Sequence, residues 1–129
     1  MILLDTHTLV WAVAAPSRLS RTAAVAIRKA RARDGVAISA ITLWELATLV
    51  ARGRIQAYGT LEASVRLLSE GVTIMPLTAE IVALATQFPD DYSRDPADRL
   101  IGGTARAEGM VLVTHDEKIR ESPLLETLW

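Results

Sequence analysis

Cysteine is absent from this sequence of 129 residues, and histidine occurs only twice. The absence of cysteine excludes a disulfide framework, a thiolate metal site and a cysteine nucleophile. It also fits a reducing compartment, so we expect a cytoplasmic protein. Two histidines argue against a histidine-rich zinc site.

The sequence also lacks an uninterrupted apolar run of about 18 residues, so we expect no membrane-spanning helix. Its first 15 residues are apolar, but they have no basic segment and are interrupted by Asp5 and His7. We therefore expect no signal peptide. The length suits one domain, residues 1–129, and a hydrophobic content of 50% is enough for a real core.

The formal net charge of −1 conceals an asymmetry along the chain. Residues 1–54 contain eight Lys or Arg and three acids, whereas residues 55–129 contain six and twelve. One predicted helix carries a basic stretch made of Arg28, Lys29, Arg31 and Arg33. Such a stretch is either a solvated helix face or a surface that follows an RNA backbone, and no aromatic residues interleave with it to favour base stacking.

Short apolar segments alternate with amphipathic ones along nearly the whole chain. Strands are predicted at residues 2–5, 36–39, 72–75 and 110–114. Helices are predicted at residues 8–14, 21–33, 43–52, 60–70, 78–88 and 96–108. This alternation predicts a three-layer α/β fold in which helices flank a central parallel β-sheet on both faces.

Four acids fall at strand ends or helix starts, namely Asp5, Glu45, Asp98 and Asp116. In an open parallel sheet, ligands bind beyond the carboxyl ends of the strands, and all four acids are predicted at that edge. Carboxylates gathered without Lys or Arg would repel one another, and a divalent cation would relieve this. Mg²⁺ or Mn²⁺ prefers oxygen ligands and can activate water for attack on a phosphodiester.

Helix capping offers a structural interpretation of most of these acids. Glu45 follows Thr42 at the spacing of a capping box, and Asp98 lies in the first turn of its helix. Asp116 could cap a short turn. Asp5 is harder to explain in this way, because it follows a buried strand without an adjacent cation.

Other polar and aromatic residues near the four acids have weaker functional signals. Thr114 precedes Asp116 and could contact a metal or its water. His7 and His115 flank the predicted site and are interpreted as polar loop residues. The three tryptophans are predicted in the core or an interface, and they are Trp11, Trp44 and Trp129.

Four segments together resemble a known family. They are Met1-Ile-Leu-Leu-Asp5-Thr6, Ser39-x-x-Thr42-x-x-Glu45, Asp95-Pro-x-Asp98-Arg99-Leu-Ile101 and Leu-Val-Thr114-x-Asp116. In order and spacing they resemble PIN-domain proteins, and most closely the VapC-type toxins of bacterial toxin-antitoxin pairs.

This resemblance implies a metal-dependent ribonuclease, usually a homodimer, that a cognate VapB-like antitoxin holds inactive. It implies that Asp5, Glu45 and Asp98 are the three core acids and Asp116 a fourth, more variable one. All four are then catalytic and metal-binding residues, with Mg²⁺ or Mn²⁺ as cofactor and RNA as substrate. The expected products carry a 5′-phosphate and a 3′-hydroxyl.

One departure from the family pattern is Gly102-Gly103, where similar sequences have small residues such as alanine. Glycine weakens a helix by about 1 kcal/mol relative to alanine, so we expect this helix to approach the sheet or a second subunit closely. Two other functions remain open. One is a non-catalytic RNA-binding or regulatory module, and the other is a phosphotransfer domain, which is weakened because position 7 is His and not Asp.

Overall fold

The computed structural model describes all residues, 1–129, and contains one five-stranded sheet. The strands are β1 (Ile2–Leu4), β2 (Val36–Ser39), β3 (Thr73–Met75), β4 (Leu112–Val113) and β5 (Thr127–Leu128). All four strand pairs are parallel, in the order β3-β2-β1-β4-β5. The order reverses between β1 and β4, which is where a parallel sheet opens a crevice at its carboxyl edge.

Seven α-helices connect and cover the strands. They are α1 (Thr6–Ala14), α2 (Arg21–Arg31), α3 (Ala40–Ala51), α4 (Leu61–Leu68), α5 (Ala79–Thr86), α6 (Pro96–Glu108) and α7 (Glu117–Arg120). A single 3₁₀ turn at Pro16–Arg18 separates α1 from α2. The longest helix, α6, has 13 residues, and none of the helices meets the length and apolarity that a membrane span requires.

The sheet has a separate apolar core on each face, because successive side chains of a strand point to opposite sides. Helices α1 to α4 cover one face, which presents Leu4, Ile38 and Val113. Helices α6 and α7 cover the other, which presents Leu3, Ala37 and Leu112. The predicted three-layer α/β fold is therefore confirmed.

Two helices begin earlier than the sequence indicated, because their caps are residues that were not predicted to cap them. Helix α1 starts at Thr6 and not at residue 8, since Asp5 is its N-cap. Helix α3 starts at Ala40 and not at residue 43, since Ser39 caps it by accepting a hydrogen bond from Ile41 N at 3.3 Å. The last strand, β5, was not predicted.

The two helical glycines of α6 allow close packing against α5 and the residues after it, and not against the sheet as expected. A Cβ at Gly103 would lie 2.7 Å from the carbonyl oxygen of Ile81 in α5. One at Gly102 would lie 2.9 Å from the Phe88 ring and would overlap the Tyr92 hydroxyl. Helix α6 thus lies against α5 and the stacked pair of aromatic rings that follows α5.

Candidate active site

An acidic cleft of about 330 Å³ lies at the carboxyl edge of the sheet. Its lining residues are Asp5, Thr6, His7, Trp11, Glu45, Asp95, Asp98, His115 and Asp116. All four predicted acids are present, together with Asp95, which was interpreted only as a cap. No Lys or Arg lines the cleft, so five carboxylates share a small volume without a fixed countercharge.

Asp5 lies between β1 and α1, and both oxygens of its carboxylate accept hydrogen bonds. Oδ1 accepts from Thr8 N at 2.9 Å, so Asp5 caps α1. Oδ2 accepts from the Thr114 hydroxyl at 2.5 Å, and the oxygen of that hydroxyl accepts from Asp116 N at 3.1 Å. Asp5 therefore does have the structural role that the sequence did not suggest, and Thr114 links it to the segment of Asp116.

Glu45 lies in the second turn of α3 and is held from α1. The Thr6 hydroxyl donates a hydrogen bond to Glu45 Oε1 at 2.5 Å. Its oxygen also lies 3.1 Å from the Thr42 hydroxyl. Because Ser39 caps α3, the capping-box interpretation of Glu45 with Thr42 is wrong. Burial raises the pKa of Glu45, the Thr6 hydrogen bond opposes this, and nearby Asp95 and Asp5 raise it further.

Asp98 lies in the first turn of α6, but it does not cap the helix. Asp95 is the cap, accepting from Ala97 N at 2.8 Å and from Asp98 N at 3.2 Å. The Asp98 carboxylate is thereby available to the cleft, where Oδ2 accepts from the Ser93 hydroxyl at 2.6 Å. Burial, followed by the charges of Asp95 and Glu45, raises the pKa of Asp98 to about 6, although the Ser93 hydrogen bond opposes the change.

Asp116 caps a helix and also lines the cleft. It is exposed at the rim of the cleft, and its Oδ1 accepts from Ile119 N at 3.1 Å, which caps α7. A capping role and a place in the cleft are therefore compatible for this residue.

Ser93 and Arg99 are site residues that sequence reasoning missed. The Arg99 guanidinium donates to the carbonyl oxygens of Ser93 at 2.8 Å, Phe88 at 2.8 Å and Pro89 at 3.2 Å. These bonds fix the loop between α5 and α6, and this loop supplies the Ser93 hydroxyl to Asp98. The only sequence signal was that Arg99 directly follows Asp98 in the α6 segment.

The histidines and tryptophans only partly match their predicted positions. His7 and His115 are exposed and line the cleft, as predicted for residues that flank the site. Trp11 is half-buried and lines it too, whereas Trp129 is half-buried against Trp11. Trp44 is 65% exposed, so it is not in the core, and its predicted alternative place in an interface stays a prediction.

The basic stretch of α2 does not face the acids. Its four exposed cations belong to the last turn of α2 and the residues just after it, and they are Arg28, Lys29, Arg31 and Arg33. Next to this stretch, Asp34 binds the ammonium group of Met1, which precedes β1. The stretch therefore ends at the amino edge of the sheet, opposite the cleft.

The oxygen donors of the cleft are the ligand type that a hard divalent cation prefers, but the acids are not grouped closely around one point. The donors are carboxylate and hydroxyl oxygens, and the raised pKa values of Glu45 and Asp98 reflect burial together with mutual repulsion. No three Asp, Glu or His side chains are yet grouped so that they could hold one ion. Each hydrogen-bonded carboxylate oxygen retains a second lone pair, so the hydrogen bonds of the acids leave room for a further ligand.

The three-layer fold and the acidic cleft can be compared with those of known protein families. The family model described as PIN domain matches residues 2–123. The chain therefore belongs to the PIN domain family.

Within that family the chain is a VapC-type protein, as the sequence resemblance predicted. Ribonuclease VapC22 of Mycobacterium tuberculosis is 38% identical over 130 aligned positions, which cover 99% of this chain and 98% of that protein. The phosphotransfer interpretation finds no support in this likeness.

Solved structures of similar fold include complexes of toxins with antitoxins. VapBC2 from Rickettsia felis, bound to a promoter DNA fragment, has a TM-score of 0.76 and 21% identity, covering 99% of this chain and 98% of that chain. DNA-bound VapBC from Salmonella typhimurium has a TM-score of 0.73 and 20% identity, with the same coverage of the two chains. At these identities the likeness shows the fold alone.

Proposed function

We propose that this protein is a metal-dependent endoribonuclease that acts as the toxin of a toxin-antitoxin pair. Hydrolysis of the RNA phosphodiester takes place at the acidic cleft, with Asp5, Glu45, Asp98 and Asp116 as its acids. The identity with ribonuclease VapC22 supports RNA as the substrate class. The fold shared with toxin-antitoxin complexes supports a cognate antitoxin as partner.

The observation that carries this proposal is that three acids from different elements are each held by a hydroxyl. Thr114 donates to Asp5, Thr6 to Glu45 and Ser93 to Asp98. These hydroxyls do not neutralise the acids, so they fix the orientation of the carboxylates while the negative charge remains. An arrangement that maintains unbalanced charge in a cleft is typical of a cation site rather than of a structural network.

Mg²⁺ or Mn²⁺ would be held by Asp5, Glu45, Asp98 and Asp116, and it would supply a water of lowered pKa and charge stabilisation at the phosphate. The chain supplies orientation. Thr114 fixes Asp5 at the end of β1, and Arg99 fixes the loop from which Ser93 reaches Asp98. Without a countercharge, the five carboxylates would repel an RNA phosphate from the cleft.

The proposal is tested by incubating the purified protein with a pool of structured RNAs in Mg²⁺, Mn²⁺, Zn²⁺ or EDTA. We expect cleavage with Mg²⁺ or Mn²⁺, little with Zn²⁺ and none with EDTA. Glu45→Gln should abolish cleavage, whereas Glu62→Gln, which changes an exposed acid of α4, should not. Full activity in excess EDTA would refute metal dependence.

The toxin role needs a separate test in cells. Induced expression of the chain should arrest bacterial growth, and Asp5→Asn should remove this effect. Co-expression of the protein encoded beside it should restore growth, and the mass of the purified toxin should be that of a homodimer. Arrest that persists with Asp5→Asn would show that the cleft is not its cause.

A second candidate function is a non-catalytic RNA-binding or regulatory module. It is favoured by the observation that no three acids are yet grouped around one point. RNA binding without cleavage in either Mg²⁺ or Mn²⁺ would support this function over the first.

A further inference from the structure

Three aromatic rings pack together at one side of the acidic cleft, and we call them the aromatic wall: Trp11, His115 and Trp129. The ring centroids lie 5.7 Å apart for Trp11 and His115, 5.8 Å for Trp11 and Trp129, and 5.2 Å for His115 and Trp129. All three pairs meet edge to face. Each ring therefore contacts the other two, and Trp11 and His115 also line the cleft.

Arg18 lies on the wall. Its Cζ atom is 4.6 Å from the centroid of a Trp11 ring, within the range of a cation–π contact. Arg18 is exposed, so its guanidinium lies over the Trp11 ring and remains accessible to solvent. The wall thus ends in a planar cation that is held in place beside the cleft.

A polyanion that enters the cleft needs cations near its phosphates, and Arg18 is placed to supply one. The lining contains five carboxylates and no Lys or Arg, so the phosphates next to the reacting one must find cations outside it. None of the four residues of the basic stretch of α2 lines the cleft. Arg18 is a cation outside the lining that contacts Trp11, a residue of the lining.

We propose that Arg18 and the aromatic wall bind one unpaired nucleotide of the RNA beside the phosphodiester that is cleaved. The base stacks on the Arg18 guanidinium and the exposed His115 ring, and the positive charge of Arg18 attracts the neighbouring phosphate. Proteins recognise single-stranded RNA in this way, by stacking bases on aromatic rings or on Arg planes. The inference rests on the proposed function, because it takes RNA as the substrate.

The simpler interpretation is structural. In that case the wall only fastens α1 to β5, since Trp11 belongs to α1 and Trp129 follows β5 directly. Removing exposed Arg18 would then leave RNA affinity unchanged. The two interpretations therefore differ in a measurable quantity.

The test is equilibrium binding of a fluorescein-labelled single-stranded RNA of twelve nucleotides to the purified protein in EDTA, followed by fluorescence anisotropy. We expect Arg18→Ala to weaken binding between about fivefold and a hundredfold, the range for losing one stacked base. Arg18→Lys keeps the charge and loses the plane, so it should recover only part of the affinity. Arg54→Ala removes an exposed Arg that does not line the cleft and should bind like the wild type.

A second series of RNAs separates stacking from charge. Each RNA carries one abasic nucleotide, which keeps the phosphates and removes a base. At one position, loss of the base should weaken binding of the RNA to the wild type. Loss of the same base should not weaken binding to Arg18→Ala. His115→Ala should reduce the same difference, and it provides a second exposed variant.

Wild-type affinity in Arg18→Ala, or equal loss at every abasic position, would overturn the inference. So would a variant that binds RNA normally and the antitoxin poorly, because the wall would then be a protein interface. These measurements do not depend on turnover. RNA binding that depends on Arg18, without any cleavage in Mg²⁺, would refute the proposed function and leave the nucleotide site standing. Cleavage in Mg²⁺, with RNA binding that does not depend on Arg18 or on any single base, would refute the nucleotide site and leave the proposed function standing.

Discussion

Asp98→Asn should make the metal-free protein more stable, although it should abolish cleavage. The variant keeps the size of the side chain and an oxygen for the Ser93 hydroxyl, and it removes one charge from the cleft. It does not remove a helix cap, because Asp95 caps α6. Any change in stability therefore reports on the charge.

The expected size follows from the pKa of Asp98, which burial and the neighbouring acids raise from 3.8 to about 6. Each unit corresponds to about 1.4 kcal/mol, so ionised Asp98 costs the folded state about 3 kcal/mol at neutral pH. The variant loses the attraction of a negative charge to the helix N-terminus, about 0.3–1 kcal/mol. A net gain of about 2 kcal/mol remains.

The gain must also depend on pH in a defined direction. A raised pKa means that the unfolded state loses its proton first, so the cost is fully present above about pH 6. It diminishes as the pH falls, and it is absent below the unfolded pKa of 3.8, where Asp98 is protonated in both states. Near pH 3.5 the wild type and Asp98→Asn should therefore have the same free energy of unfolding.

Urea unfolding in EDTA between pH 3.5 and pH 8 measures this difference, with exposed Asp90→Asn as the matched control. Added Mg²⁺ should stabilise the wild type by about 2.7 kcal/mol at a hundredfold excess over Kd, and the variant by much less. A variant that is less stable than the wild type in EDTA at pH 7, or a gain that does not change with pH, would refute the reasoning.

Three further variants test the packing and the hydrogen bonds of the site. Gly103→Ala should destabilise the protein by about 1–3 kcal/mol in urea, because its Cβ meets the carbonyl oxygen of Ile81; a stabilised variant would contradict the close packing of α5 and α6. Arg99→Lys should cost about 1.5–3 kcal/mol and reduce cleavage, since lysine cannot reach three carbonyls at once, and an unchanged rate would show that the loop does not need it. Thr6→Val should shift the acidic limb of the pH–rate profile to higher pH, because the Thr6 hydrogen bond lowers the pKa of Glu45. Thr6→Ser keeps the hydroxyl and should restore the profile, and an unshifted profile in Thr6→Val would exclude this role of Thr6.

The layered fold could be predicted because its signals are local. The bounds of β2 match the predicted residues 36–39, and α6 matches 96–108, where Asp95, Pro96 and Gly109 mark both ends. The last strand could not be predicted. Its two residues are extended because they pair with β4, Thr127 beside Leu112 and Leu128 beside Val113, and such pairing leaves no pattern in a two-residue segment.

The meeting of the four acids in one cleft could be predicted, but not the hydrogen bonds that hold them. Their positions followed from strand ends and helix starts. The Thr6–Glu45 and Thr114–Asp5 hydrogen bonds join residues 39 and 109 positions apart, so they exist only after the sheet has formed. The same limit explains the capping errors, since Ser39 and Thr42 are equally good caps until the end of β2 is known.

The chemistry of the RNA ends tests the central claim most directly. If the acidic cleft directs hydrolysis by a metal-activated water, cleavage in Mg²⁺ should leave a 5′-phosphate and a 3′-hydroxyl, and both should disappear with Asp5→Asn or EDTA. Mass spectrometry of a short cleaved RNA distinguishes these ends from a 2′,3′-cyclic phosphate and a 5′-hydroxyl. Cyclic phosphate ends that persist with Asp5→Asn would contradict the account, because the attacking group would then be the RNA's own 2′-hydroxyl and the four acids would not be needed.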